Sequence, residues 1–266
     1  LVAVFDMGTG GAAIATVIAQ AVSGVGLGAY VLIKEPELLP KKSELHITSA
    51  LVKEVTRHSF AACIQQSVMN FGILMIQGLV NSFGTAVMAA FAAAVKIDSF
   101  AYMPAQEFGN AFSIFISQNH GGGKHDRVKE GMRRAAVVSA AFCLFVSALI
   151  FVLAKYLMQI FIDPSEAEII NIGIGYLRIE GSFYIGIGVL FLLYGFYRGI
   201  EKPEMSLVLT IISLGTRVLL AYVLSPVPAI GVVGIWSAIP IGWFLADAVG
   251  ILYIKKALQS IQNKNG

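Results

Sequence analysis

Seven stretches of this chain are apolar for about 20 residues or more, the length at which an α-helix crosses about 30 Å of hydrocarbon. They run over residues 8–33, 58–80, 86–118, 135–158, 168–197, 205–224 and 231–254. A bilayer core offers no partner to a backbone N–H or C=O, so each stretch must satisfy its own hydrogen bonds as a helix. A membrane barrel would instead alternate apolar and polar residues over segments of about ten, and no such alternation runs through the chain. With 57% hydrophobic and 13% charged residues, the expected fold class is an all-α polytopic membrane protein with seven transmembrane helices.

The basic residues set the expected orientation. Fifteen of the 19 Lys and Arg residues fall in four segments: 34–57, 119–134, 198–203 and the C-terminus from Lys255 onward. They alternate with turns at 81–85, 159–167 and 225–230 that contain no Lys or Arg. Seven crossings put all four basic segments on one side, which the positive-inside rule makes cytoplasmic. The expected location is therefore the cell (plasma or inner) membrane, with the lipid bilayer as a partner.

Residues 34–57 mix lysines with Glu35, Glu37, Glu44 and Glu54 and carry Pro36 and Pro40, as a linker between membrane units would. The expected organisation has four parts. Residues 1–33 hold the last helix of an upstream lobe, and 34–57 the cytoplasmic linker. Residues 58–256 form a six-helix lobe, and 257–266 a cytoplasmic tail. A faint repeat fits this division. At an offset of 223 residues, Gly8, Gly11, Ala15, Ile18 and Tyr30 align with Gly231, Gly234, Ala238, Ile241 and Tyr253, and internal repeats are common in secondary transporters. The sequence opens at Leu1 with no basic n-region before a short apolar core. It reads as starting partway through a longer protein rather than with a signal peptide. Local chemistry marks helix starts: Ser165 and Glu168 are spaced as a capping box, and Pro203 suits a first turn.

Charge inside an apolar span is costly and marks function by default. Lys96, Asp98, Glu107, Arg178, Glu180, Arg217 and Asp247 all lie within spans. Counting from each span's middle at about 1.5 Å per residue puts five of them, Lys96, Asp98, Arg178, Glu180 and Arg217, in one layer about 5–9 Å outward. The functional reading is a charged cavity in which Asp98 or Glu180 binds H⁺ or Na⁺, its charge state depending on the cations that face it. The plainer reading is an ion-pair network that holds helices together. Glu107 lies deeper and belongs to a different gate.

Span 86–118 carries a polar stripe. At about 100° per residue, Lys96, Ser99, Gln106, Glu107, Asn110, Ser113 and Ser117 share about a third of the circumference, with Asp98 nearly opposite. Pro104 can kink this span. Gln65, Gln66, Asn70 and Gln77 give span 58–80 a second polar face. These faces line a water-filled path or bond helix to helix; both readings stand. The series Tyr176, Phe183, Tyr184, Phe191 and Tyr194 runs down span 168–197. Turned to the cavity, its rings would favour apolar cations.

Other classes are less well served. Cys63 and Cys143 sit in apolar runs and read as packing residues. His46, His58, His120 and His125 show no metal-ligand spacing. The basic residues do not form a nucleic-acid footprint. No nucleophile or metal constellation supports an intramembrane enzyme, which leaves that reading and a non-transporting scaffold last. No cofactor is expected beyond H⁺ or Na⁺ as coupling ion.

The chain resembles the multidrug and toxic compound extrusion (MATE) family of secondary transporters. The resemblance rests on Pro104, Gly109-Asn110-Ala111-Phe112-Ser113, Gln118-Asn119-His120-Gly121-Gly122-Gly123 and Arg127, then Tyr197-Arg198-Gly199-Ile200-Glu201-Lys202-Pro203, then 231–240. It implies a twelve-span protein of two six-span lobes, with this chain the last helix of the first lobe plus the second lobe. It also implies an efflux antiporter for organic cations, drugs or other amphiphiles in exchange for H⁺ or Na⁺. Gln65 and Gln66 stand where some Na⁺-coupled members carry a glutamate, which shifts attention to Asp98 and Glu180 or to the upstream lobe. A lipid-linked oligosaccharide flippase of the same superfamily is the alternative. Its pyrophosphate head group would want a strongly cationic cavity, against the three basic and two acidic residues expected in the layer.

Overall fold

The computed structural model describes residues 7–38 and 47–263. Among these, the chain forms α1 (Gly8–Lys34), a 3₁₀ turn (Pro36–Leu38), α2 (Ser49–Asn81), α3 (Thr85–Gly121), α4 (His125–Met158), α5 (Ala167–Gly181), α6 (Tyr184–Gly199), α7 (Pro203–Leu224) and α8 (Val232–Asn263), with no strand. Six helices are long and apolar enough to cross a membrane, and α5 with α6 makes a seventh crossing if the bent pair is one span. Part of the expected linker, including Lys41, Lys42 and His46, lies outside the described residues, as do Lys264 and the side chains of Arg57, His58 and Lys255.

By its contacts the chain forms two units, Leu1–Val55 and Thr56–Gly266. In the first, nearly every side chain of α1 is exposed, Gly11 excepted. In the second, the tightest pairs are α3 with α6 and α7 with α8. At the first of these, helix backbones touch. A Cβ on Gly109 would lie 2.7 Å from the Phe191 carbonyl oxygen, and one on Gly195 would strike the carbonyl oxygen of Gly109. Small residues permit such an approach in lipid, where burial of apolar surface drives nothing and packing must. For the same reason Phe100, Leu144, Phe145 and Val152 stand exposed. An apolar outer surface is what hydrocarbon requires.

Aromatic rings tie three helices together. Phe91 of α3 stacks on Trp236 of α8 at 5.3 Å, and Tyr176 of α5 meets both edge-on, at 5.6 and 5.0 Å. Lower in the bundle the buried Tyr197 hydroxyl donates to the carbonyl of Gly250 at 2.7 Å, joining α6 to α8. Tyr197→Phe is expected to cost about 1 kcal/mol of stability, read as a lower midpoint in thermal unfolding of the purified protein. An unchanged midpoint would show that the bond contributes nothing.

Several elements differ from the sequence reading. The apolar run 168–197 is not one helix: α5 and α6 bend by 52° at the break. The cause is the pair Gly181-Ser182. Glycine weakens the helix, and the Ser182 hydroxyl bonds back to the Arg178 carbonyl at 2.6 Å, a combination that kinks helices. By contrast α3 runs unbroken through Pro104. The expected capping box is absent: Ser165 donates its amide and hydroxyl to Asp163 at 2.9 and 2.6 Å, and α5 begins at Ala167 without a side-chain cap. Those two donors hold the Asp163 carboxyl below the usual range. Helices also reach into the expected loops. Arg127, Lys129, Arg133 and Arg134 lie on the first turns of α4, where Arg134 pairs with Glu130 at 2.7 Å, and α8 continues to Asn263. Lys, Arg and Glu are strong helix formers, so charge alone does not end a helix. Pro203 does open α7 as expected. Gly8 and Gly231, aligned by the internal repeat, share a left-handed backbone with φ of 54° and 53°.

Candidate functional site: a buried acid pair facing one arginine

Two acids from different helices come together inside the second unit. Asp98 projects from α3 and Glu180 from the last turn of α5, and both are buried, at 4% and 3% exposure. The Tyr184 hydroxyl, from the first turn of α6, donates to Asp98 Oδ1. Tyr176, one turn before Glu180, shares the cavity lining with both acids. Arg217 of α7 acts on both electrostatically. It forms no ion pair with either among the described residues, and its Nε has no hydrogen-bond partner. Glu180 Oε2 is likewise unpartnered.

These groups surround a cavity of about 180 Å³ whose lining includes Asp98, Tyr102, Tyr176, Glu180, Arg217 and Trp243. At about 30 Å³ per water, it has room for several waters or a small cation. Its charge count matters most. Two carboxylates face one guanidinium, so one negative charge is left for a bound cation or proton to balance.

A second, more polar cavity of about 130 Å³ is lined by Gln65, Gln66, Gln106, Asn110, Tyr194 and Arg198, among others. Gln65 donates to Thr210 Oγ1 at 3.0 Å. Arg198 donates to Asn110 Oδ1 at 2.9 Å and to the Tyr194 carbonyl at 3.2 Å, and Asn110 donates to Glu107 Oε2 at 3.2 Å. Gln66 donates to Asn70 at 3.3 Å.

The layer of five charges expected from depth counting therefore divides. Asp98, Glu180 and Arg217 converge. Lys96 and Arg178 are exposed, and Arg178 sits over the Phe151 ring at 5.2 Å. Depth along a helix put them at the right level, but their positions around the helix turn them outward. Glu107 is exposed and meets the polar stripe only through Asn110. Gln65, Gln66 and Asn110 line the second cavity, whereas Asn70 is exposed. Ser113 packs its backbone against Gly195 and Gly199 at the α3–α6 contact, and Tyr184 serves Asp98. In the sequence Tyr176 reads as one aromatic of a series, and Arg198 as a cation of a basic segment and a member of the 197–203 motif. The i, i+4 spacing of Tyr176 and Glu180 was the available signal. Arg198 carried none, because its role depends on where α6 meets α3.

A profile of the MatE family matches residues 59–223. The chain is 31% identical over 215 residues to "Probable multidrug resistance protein YpnP" of Bacillus subtilis, covering 80% of this chain and 47% of that protein. It is 27% identical over 232 residues to "Probable multidrug resistance protein NorM" of Thermotoga maritima, covering 87% and 49%. The chain thus spans about half the length of these curated relatives. Among solved structures, an outward-facing multidrug resistance MATE family transporter of the MOP superfamily superposes with a TM-score of 0.89 at 21% identity, over 98% of this chain and 59% of that one. A MOP superfamily transporter from Pyrococcus furiosus, described as having a binding pocket of reverse polarity, gives 0.88 at 22% identity, over 98% and 59%. At these identities the structural likeness bears on fold alone.

Proposed function

This chain belongs to the MatE family and is a multi-pass membrane protein, and from that premise we propose that it supplies one lobe of a secondary active drug exporter. The substrate class we assign is organic cations and related amphiphiles, moved outward in exchange for H⁺ or Na⁺. The partner is an upstream lobe of the same protein, and the basic segments face the cytoplasm. One observation carries the reading: the buried pair Asp98 and Glu180, facing the single cation Arg217 across a small cavity. A site one positive charge short of neutrality takes up a cation or proton in one conformation and yields it in another when the facing charges move. That exchange is what an antiporter needs.

The same charge count weighs against a pyrophosphate-lipid flippase. Two acids to one base is a poor seat for a dianionic head group. With Lys96 and Arg178 turned outward, the cavity is more acidic than the sequence reading expected.

The test uses the full-length protein reconstituted in liposomes. An imposed pH gradient, or in a parallel arm a Na⁺ gradient, is expected to drive a fluorescent organic cation against its own concentration gradient. Dye that only runs downhill under both gradients would overturn the exporter reading.

A further inference from the structure

One buried acid is used by neither cavity. Asp247 of α8 is 5% exposed, its Oδ1 is enclosed without a hydrogen-bond partner, and it forms no ion pair among the described residues. Its surroundings can be placed. Gly250, one turn further along α8, abuts Leu193 of α6 and Leu209 of α7, and accepts the Tyr197 hydroxyl. This stretch of α8 therefore lies in the crevice between α6 and α7. Tyr194 of α6 and Thr210 of α7 lie on the two helices that form it. Thr210 Oγ1 accepts from Gln65 and donates to the Ser206 carbonyl at 2.9 Å. Tyr194 also lines both cavities.

The titratable and charged groups on the helices packed against α8 include Tyr194, Tyr197 and Arg198 of α6, Arg217 and Glu204 of α7, and Tyr176 and Glu180 of α5. On α8 itself are Tyr253 and Lys256, the latter over the Tyr253 ring. An acid that merely fastens helices makes hydrogen bonds across them. Asp247 instead has an open oxygen and no counter-ion. An enclosed carboxylate of that kind is tolerated in a membrane by taking a proton.

We propose that Asp247 is a second proton-binding site of the lobe, enclosed in the crevice between α6 and α7. On uptake, an O–H bond forms at Asp247 as one breaks in a hydronium ion of the bulk water. The net change is one carboxylate plus one proton becoming one carboxylic acid. Occupancy of this site does not depend on whether Asp98 and Glu180 drive export.

The test is infrared difference spectroscopy of the full-length protein in lipid nanodiscs during a pH titration, which sees the C=O stretch of a protonated carboxyl without any transport. One such band is expected to vanish in Asp247→Asn and to persist in Asp98→Asn and Glu180→Gln. An Asp247→Asn spectrum identical to the parent's would overturn the proposal. So would removal of the band by Na⁺ at constant pH, which would make this a metal-cation site. If Asp247→Asn fails to fold, Asp247→Glu keeps the acid and is expected to move the band's frequency; an unmoved band is equally fatal.

Discussion

Glu180→Gln is expected to uncouple export from the pH gradient while leaving downhill exchange of substrate in place. The amide keeps the volume and one hydrogen-bond acceptor of the carboxyl. What it removes is one of the two acids that share the single guanidinium of Arg217 in this cavity. With the cavity reduced to Asp98 and Arg217, charge is already matched and a proton gains nothing by entering. Coupling free energies between sites are about 1–3 kcal/mol, or about 5–150-fold, and a loss of gradient-driven accumulation of that size is expected. Asp98→Asn should act in the same direction for the same reason. The readout is dye accumulation in proteoliposomes with and without a pH gradient, set beside counterflow in the absence of any gradient. Undiminished accumulation in both variants would remove this lobe from coupling and leave the upstream lobe as its seat.

The second large effect is on stability. Gly195→Val places a Cβ against the Gly109 carbonyl oxygen. A flexible side chain could swing away from that atom, but a helix backbone cannot. Overpacking of this kind costs about 1–3 kcal/mol, occasionally more, and the backbone obstacle argues for the upper end. The expected result is a marked loss of monodisperse protein after heating in detergent. Gly215→Ala is the control: nothing lies within 4 Å of its Cβ, and in a helix alanine is favoured over glycine by about 1 kcal/mol. Equal behaviour of the two variants would show that the α3–α6 contact is looser than described.

What could be read in the sequence follows from which quantities one helix fixes by itself. Length and depth are such quantities, so the crossings and the level of Asp98, Glu180 and Arg217 were legible. Relative angle within one helix was legible too: Asp98 was placed opposite Lys96, and the one is buried and the other exposed. Which side of α3 or α5 faces the bundle is decided by neighbours. That is why Lys96 and Arg178 were assigned to a cavity they do not enter. The break at Gly181-Ser182 is invisible to hydropathy, because the apolar run continues through it, yet it is written in the residue pair. Asp247 stood out as a charge in a span, but its isolation depends on the crevice between α6 and α7.

The bend has a mechanical consequence when set beside the glycine contact. Backbone against backbone at Gly109 and Gly195 makes α3 and α6 a single rigid strut. The joint at Ser182 connects α5 to that strut along the chain, while Tyr176 packs α5 against Phe91 of α3 and Trp236 of α8. Asp98 and its Tyr184 donor ride on the strut, whereas Glu180 and Tyr176 ride on the arm. Rotation about that joint thus changes the distance between the two acids and leaves Asp98 and Tyr184 together. Such a rotation must also repack the Phe91–Tyr176–Trp236 cluster, and the spacing of the acid pair is the coordinate that reports it.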